Sequence, residues 1–409
     1  GMRLLQLLEG KYAVVATNPP YMGSRNMGNV LRSYVETRYR PAKRDLYAAF
    51  IMRSLDLCQE FGRTAIITQQ SWLFAHSYAE LRNNAGANGD RGQTQGFEGV
   101  LRSVTLEYLV HLGRYAFSEI GAGVVAPVML VFNLEVPTSN SQLWSCRLAA
   151  PRPSEEQAKL LLLAARSTRA SPREYVFSTP QMSFLRIPGS PIVYYLGEEL
   201  LSLLIGGTHL REIAEVRQGL ATSDNARFTR CFWESSDSRR WVCYAKGGGY
   251  CKWAGLEWLK VDWDFEGARI EAFGRGRLQA TEFYFEEGLT YTPMSRGALG
   301  FRRLSNSVFD VKGSSLFIRD HQSSLMELAA CLSSRICSYL ARAISQSLEI
   351  HVGYLAQLPV AENLKSLGKP AQCAERLKVH LISGILSEYR FIDVLQIQWI
   401  ETIQTMLHV

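Results

Sequence analysis

The chain has 409 residues, 47% of them hydrophobic and 20% charged, which describes a folded globular protein with room for two or three domains. Its longest apolar runs are far too short to span a bilayer and the N-terminus carries no signal-peptide pattern, so no membrane attachment is expected. A net charge of +7 and a pI near 8.9 suit a polyanionic partner without requiring one. The eight cysteines are scattered with no Cys-x-x-Cys, and neither they nor the seven histidines have zinc spacing. A reduced, cytoplasmic compartment and no metal are therefore expected. Gly1 before Met2 reads as a processing scar and is left out of the fold reading.

Taken in chain order, Tyr12 to Thr17 (YAVVAT) reads as a buried strand and Arg44 to Glu60 as an amphipathic helix with Leu46, Phe50, Leu55 and Leu57 on one side, closed by Gly62. Arg63 to Thr68 is a second buried strand. A helix from Ser77 runs into a polar, glycine-rich stretch from Asn84 to Gly96, expected to be mobile. Thr105 to Leu112 and Val124 to Asn133 are two further strands. The alternation predicts an α/β domain with a mostly parallel sheet over residues 1–145. Residues 146–207 read as a connecting segment with one helix near Glu155 to Ala165. Residues 208–360, rich in short strands, tryptophan, glycine and arginine, read as an α+β recognition domain. An apolar helix is expected at Glu327 to Ser347, burying Cys331 and Cys337, and residues 361–409 read as a helical tail.

The first strand ends in Asn18-Pro19-Pro20-Tyr21, which looks like the loop that S-adenosylmethionine enzymes use to methylate amino groups. The chemistry explains the residues. An exocyclic amine is a poor nucleophile because its lone pair is delocalised into the ring. Two acceptors, here the Asn18 side chain and the Pro19 carbonyl, can hold its hydrogens and free the lone pair for attack. Pro19 and Pro20 stiffen the loop, and Tyr21 offers a face on which an extruded base can stack. A surface turn is the alternative, since Asn and Pro are common turn residues. The tetrapeptide alone does not separate DNA adenine methylation from protein glutamine methylation.

Further motifs follow in order: Lys43-x-Asp45-Leu46-Tyr47-x-x-Phe50, Gly62-Arg63-x-x-x-Ile67-Thr68-Gln69-Gln70-Ser71-Trp72, Val110-His111-Leu112-Gly113, Val216 to Phe228, Lys246-Gly247-Gly248-Gly249-Tyr250-x-Lys252-Trp253, and His351-Val352-Gly353-x-Leu355-x-x-Leu358-Pro359. Together they resemble the γ-order adenine-N6 DNA methyltransferases, type IIG-like, and within them the phage-defence BREX methyltransferases of the PglX family. The resemblance implies S-adenosylmethionine as cofactor, double-stranded DNA as partner, and Phe132 as a second aromatic on the flipped adenine. It places Asp45 and Tyr47 behind the cofactor pocket. On the residues alone, Phe132 is equally a core Phe and Asp45 equally a helix-initiating carboxylate.

In that family the cofactor-binding strand, glycine-rich loop and ribose-binding acid lie upstream of the catalytic loop, whereas only seventeen residues precede Asn18. Gly121-Ala122-Gly123 and Gly247-Gly248-Gly249 have the wrong context to replace them. The reading is therefore a partial Rossmann-like methyltransferase sheet lacking its cofactor-binding strands, the C-terminal portion of such an enzyme. This chain alone is expected to bind no cofactor and not to act autonomously. It would work beside an N-terminal methyltransferase fragment or other phage-defence subunits, or serve as a non-catalytic DNA-recognition module. The outer edge of the first strand is expected to pair between chains or to be covered by Met2 to Gly10. In the recognition domain Arg217, Arg227, Arg230, Lys246, Lys252, Arg302 and Arg303 are candidate DNA contacts, although a solvated charged face explains any one of them.

Overall fold

The computed structural model describes residues 7, 9–84, 96–113, 116, 125–149, 154–166, 175–235, 237–294, 297–319, 324–345 and 349–383. The predicted loop from Asn84 to Gly96, Gly121-Ala122-Gly123, most of Met2 to Gly10 and the tail after Ser383 lie largely or wholly outside these residues.

Two units divide between Ile205 and Gly206. The first is built on six strands: β1 (Tyr12–Thr17), β2 (Cys58–Gln69), β3 (Thr105–His111), β4 (Pro127–Asn133), β5 (Gln142–Arg147) and β6 (Val176–Pro180). They form one sheet in the order β1-β2-β4-β3-β5-β6. β1/β2 and β3/β5 are parallel, while β4 runs antiparallel between β2 and β3, and β6 antiparallel to β5. The sheet is thus α/β but mixed, not mostly parallel. An apolar run such as Pro127 to Asn133 carries no record of its own direction, which the connection decides.

The segment read as connecting material is part of this unit, because β5 and β6 extend its sheet. Gln181, fully buried, ties it in: its amide donates to the carbonyls of Leu101 and Val104 at 3.0 and 2.8 Å and accepts from the Leu106 N–H at 2.8 Å. α1 (Leu46–Leu57) packs on β2 through Tyr47, Ala48, Ile51 and Ser54, with the predicted Leu46, Phe50, Leu55 and Leu57 half-buried beside that stripe. Gly62 lies inside β2 and does not cap α1. A Cβ there would sit 2.8 Å from the Ala13 carbonyl, so glycine lets β1 approach.

β1 differs most from its expected burial. It pairs only with β2 among the described residues, and Tyr12, Ala13, Val14 and Ala16 are exposed, Val14 by 67%.

In the second unit, β9 (Thr229–Cys231), β10 (Trp241–Ala245), β11 (Leu259–Asp262) and β14 (Val308–Phe309) form one sheet. β8 (Ala214–Arg217), β12 (Gly288–Tyr291), β13 (Phe301–Leu304) and β15 (Ser315–Ile318) form another, and β7 (Thr208–His209) pairs with β16 (Pro359–Val360). Leu220, Phe228, Tyr244, Val261, Phe309 and Phe317 share its core. The single helix expected at Glu327 to Ser347 is two, α3 (Leu325–Leu332) and α4 (Arg335–Ile344), counting α2 as Ser154–Ala165. Ser334 breaks the run because its hydroxyl caps α4, accepting from the Cys337 N–H at 3.1 Å. α5 (Lys365–Ser383) packs on α3 and belongs to this unit, anchored by Glu375, whose carboxylate accepts from Arg303 Nε at 2.6 Å.

Candidate functional site

At the carboxyl end of β1 the backbone leaves the sheet at Asn18. Pro19 is buried and fixes the loop, whereas Asn18 and Pro20 are exposed and Tyr21 is half-buried. Neither the Asn18 side chain nor the Pro19 carbonyl is engaged by any described residue, so both acceptors remain available. Asp45 holds the loop from behind. Its Oδ1 accepts from the N–H of Met22 at 2.9 Å and from the N–H of Tyr47 at 3.3 Å, so one carboxylate both caps α1 and pins the residue after Tyr21. Backbone bonds from Leu46 N to Met22 O (3.0 Å) and from Ser24 N to Arg44 O (2.9 Å) complete the clamp.

Tyr21 meets Tyr47 edge to face, with ring centroids 5.8 Å apart. Tyr47 is fully buried and its hydroxyl shares a 2.7 Å hydrogen bond with Ser71, the first residue of the short helix after β2. The two strand-end loops are therefore coupled beneath Tyr21. Burial pushes the Tyr21 phenol up to about 12, helped by the Asp45 charge, and burial also raises the Asp45 carboxyl against the pull of its amide donors. Tyr21 is thus a neutral ring at working pH.

The end of β3 contributes a second polar group. His111 is buried, with Nδ1 2.8 Å from the Tyr194 hydroxyl and Nε2 bonded to the Gln70 side chain. Burial, then the Arg147 charge, depress its pKa to about 3. The unfolded imidazole, near 6.5, takes up a proton first as the pH falls, so stability is complete above that value and is lost toward pH 3. About 1.4 kcal/mol should go per pH unit in that window. Urea titrations at pH 6.5 and 5 should therefore show a loss of about 2 kcal/mol that His111→Gln largely removes; equal losses in both proteins would refute this.

Phe132 does not join the loop. It is fully buried, pairs with Thr64 and Leu106 in mid-sheet, and packs against Trp72 with centroids 6.4 Å apart. Since Thr17 aligns with Ile66 and Leu130, Phe132 lies two residues deeper than the end of β1. In this structure Phe132 is a core side chain, at the level of Thr64 and not of the loop at Asn18. Asp45 and Tyr47, expected behind the cofactor, are spent on the clamp and the buried ring pair.

The cationic candidates separate in the same way. Arg302 is 2% exposed inside β13 and cannot present to a duplex, and Arg303 is tied to Glu375 and Glu287. Arg217 pairs with Glu215 at 2.5 Å while remaining 44% exposed. Arg230 donates to the Ala226 and Thr229 carbonyls at 2.9 and 2.7 Å and lies 5.1 Å over Trp241. Lys252 Nζ donates to the Ser333 carbonyl at 2.7 Å, and Lys246 pairs with Asp310 at 2.9 Å. Arg227 is exposed, resting on Phe273 and Phe228 at 5.1 and 5.3 Å. The backbone pairing of Ala221 with Arg277 brings exposed Arg275 and Arg277 to the same loop pair, which sequence spacing did not reveal. The Gln70–His111–Tyr194 group was also missed, although His111 and Gln70 lay within quoted motifs. Among the described residues, no His, Cys, Asp and Glu cluster could hold a metal, and no helix is long and apolar enough to cross a membrane.

Residues 5–87 match the family model of the Eco57I restriction-modification methylase. The adenine-specific methyltransferase PglX of Lacticaseibacillus casei (strain Zhang) is 30% identical over 88% of this chain and 30% of its own length. The adenine-specific methyltransferase BrxX of Escherichia coli O9:H4 (strain HS) is 28% identical over 89% of this chain and 29% of its own. Among solved structures, the type IIL restriction-modification enzyme MmeI in complex with DNA superposes with a TM-score of 0.51 at 12% identity, over 91% of this chain and 50% of that one, a likeness of fold. The chain spans less than a third of the curated relatives it matches, and over that span it is similar to the adenine-specific methyltransferases PglX and BrxX.

Proposed function

We propose that this chain supplies the amine-holding loop and the DNA-recognition unit of an enzyme that methylates adenine N6 in DNA. The observation that carries the reading is the pair of unengaged acceptors, Asn18 Oδ1 and the Pro19 carbonyl, beside a clamped and neutral Tyr21. Adenine turned out of the duplex would stack on Tyr21 and donate its two amino hydrogens to those acceptors. That rotates the nitrogen toward sp³ and localises its lone pair. S-adenosylmethionine, the methyl donor the family implies, supplies an electrophilic methyl group. Asp45 and Tyr47 do not fit as its ligands, since Asp45 Oδ1 already receives two backbone amides and Tyr47 is buried. Calorimetry of the 409-residue chain with S-adenosylmethionine is expected to show no saturable binding in the micromolar range; micromolar affinity would sink the idea that the cofactor is held from outside this chain.

DNA as partner rests on exposed Arg227, Arg275 and Arg277, which gather on adjoining loops of the second unit, and on the relatives' names. The direct test is nucleoside mass spectrometry of DNA from cells expressing the protein in its native assembly. N6-methyldeoxyadenosine should be present and should vanish with the Asn18→Ala variant. A modified cytosine in its place would refute the reading. Fluorescence anisotropy of the chain with duplex DNA should give an affinity that falls steeply between 50 and 200 mM salt. Salt-independent binding would point to a different partner surface.

A further inference from the structure

A cleft in the second unit adjoins the turn that carries Arg227, since Asn225 and Ala226 line it. It is about 870 Å³ and is walled by Lys246 to Gly249, Arg230, Lys312, Ala226 and Trp258. Its floor is unusual in backbone terms. Gly247, Gly248 and Gly249 have φ of +84°, +137° and +109°, three consecutive residues in conformations that L side chains rarely adopt. Their amides donate to no described residue. At Gly247 the chain passes so close to the Lys312 carbonyl that a Cβ would lie 2.2 Å from it, which fixes the turn in place. At Gly249 a Cβ would meet nothing within 4 Å, so the bare peptide faces the open cleft.

Three cations line the cleft, and Lys246 and Lys312 are each paired with a carboxylate. Lys246 Nζ is held by Asn225 Oδ1 at 2.8 Å and Asp310 Oδ2 at 2.9 Å, which locks its position at the start of the turn. Lys312, 47% exposed, reaches Glu349 at 2.7 Å, and the Arg230 guanidinium is steadied by carbonyls and Trp241. Glu234, the acidic side chain on the cleft wall, points back to accept from the Cys231 N–H at 2.6 Å. Backbone amides of such a turn, left without protein partners beside lysine and arginine side chains, are donors open to a phosphate oxygen.

We propose that the Lys246–Gly249 turn is a phosphate-gripping site of the recognition unit, and that its ligand is the backbone of duplex DNA. This rests on the DNA reading above and adds to it the element that seats the duplex. An open cleft accepts a phosphate still attached to neighbours on both sides, where a free nucleotide would need a closed one. Peptide amides carry no sequence information, so the site would set register and not choice of base.

Hydrogen exchange read by mass spectrometry tests the proposal on the full chain. The peptide containing Gly247 to Gly249 should exchange fast alone, slow at least tenfold with saturating duplex, and stay fast with inorganic phosphate or deoxyadenosine monophosphate at the same phosphate concentration. Ala226 is exposed on the cleft wall, so Ala226→Glu places a carboxylate there without loss of packing. It should weaken duplex binding about tenfold, while Ala226→Gln stays within twofold. Unchanged exchange in a complex shown by anisotropy to be fully formed would overturn the site and leave the DNA reading standing. Slowing by free nucleotide alone would overturn the DNA backbone as its ligand. Absence of any duplex binding would overturn both.

Discussion

Asn18→Ala should lower methyl transfer at least about a hundredfold in any preparation of the assembled enzyme, with no loss of thermal stability. The two halves of this expectation have separate causes. Asn18 is exposed and bonded to none of the described residues, so its truncation removes no packing and leaves no buried group unsatisfied. In the proposed role its side-chain oxygen matters only when an amine is being made nucleophilic, an interaction that would strengthen as the nitrogen leaves the ring plane. Losing one preorganised group at a developing charge costs roughly 2.7–4 kcal/mol, or two to three orders of magnitude in rate. Asn18→Asp keeps an acceptor oxygen and should retain more activity than alanine, whereas a turn residue without a chemical role would show no such order. Pro19 offers a backbone carbonyl that substitution cannot remove, so its contribution is tested through the loop. Asp45→Ala frees the Met22 amide and uncaps α1 at once, and should cost about 1–2 kcal/mol of stability as well as activity. A variant Asn18→Ala enzyme with more than a tenth of parental activity and the same product would remove the amine-holding role.

What could be read from the sequence was the candidate loop, whose residues are contiguous. Asn18 to Tyr21 carries its own geometry because two prolines restrict a tetrapeptide at a strand end, and no distant contact is needed to recognise it. Asp45 was ambiguous between two roles, and only the fold shows its carboxylate reaching back over more than twenty residues to the Met22 amide. The burial of β1 was misjudged for a related reason. Tyr12-Ala-Val-Val is apolar enough for a core, but burial depends on what lies beside a strand, and among the described residues β2 is the one strand that pairs with it. Arg302 and Arg303 are adjacent in sequence and strand alternation sends them to opposite faces, one into the core and one to Glu375 and Glu287. An arginine-aromatic composition therefore predicted a charged recognition unit without saying which arginines face out. Ser333-Ser334 could have signalled a helix break, since a serine before an apolar run is a capping pattern.

Phe132→Ala should destabilise the first unit by about 3–5 kcal/mol, the cost of emptying a fully buried aromatic site whose surroundings cannot collapse. The site is rigid for identifiable reasons. β4 is held on both sides, by β2 and β3, so the backbone cannot move into the void. Trp72, the neighbouring ring, is itself fully buried and fixed by its indole N–H, which donates to Thr68 Oγ1 at 3.0 Å. The informative variant is Phe132→Leu. Leucine keeps most of the volume and all of the apolar character, so a core role predicts a loss of about 1.5 kcal/mol or less and unaltered methylation by the assembled enzyme. A base-stacking role predicts the reverse, because leucine has no flat face to offer: stability would hold while the Michaelis constant for DNA rose and turnover fell. Position in the sheet favours the first outcome, since Phe132 lies at the level of Thr64 and the strand-end loops begin beyond Thr17 and Gln69. Denaturant titration of both variants beside a methylation assay separates the two. If leucine spares stability but abolishes methylation, the loop at Asn18 must receive its base from the direction of β4, and the boundary drawn between core and site in this unit would have to move inward to include it.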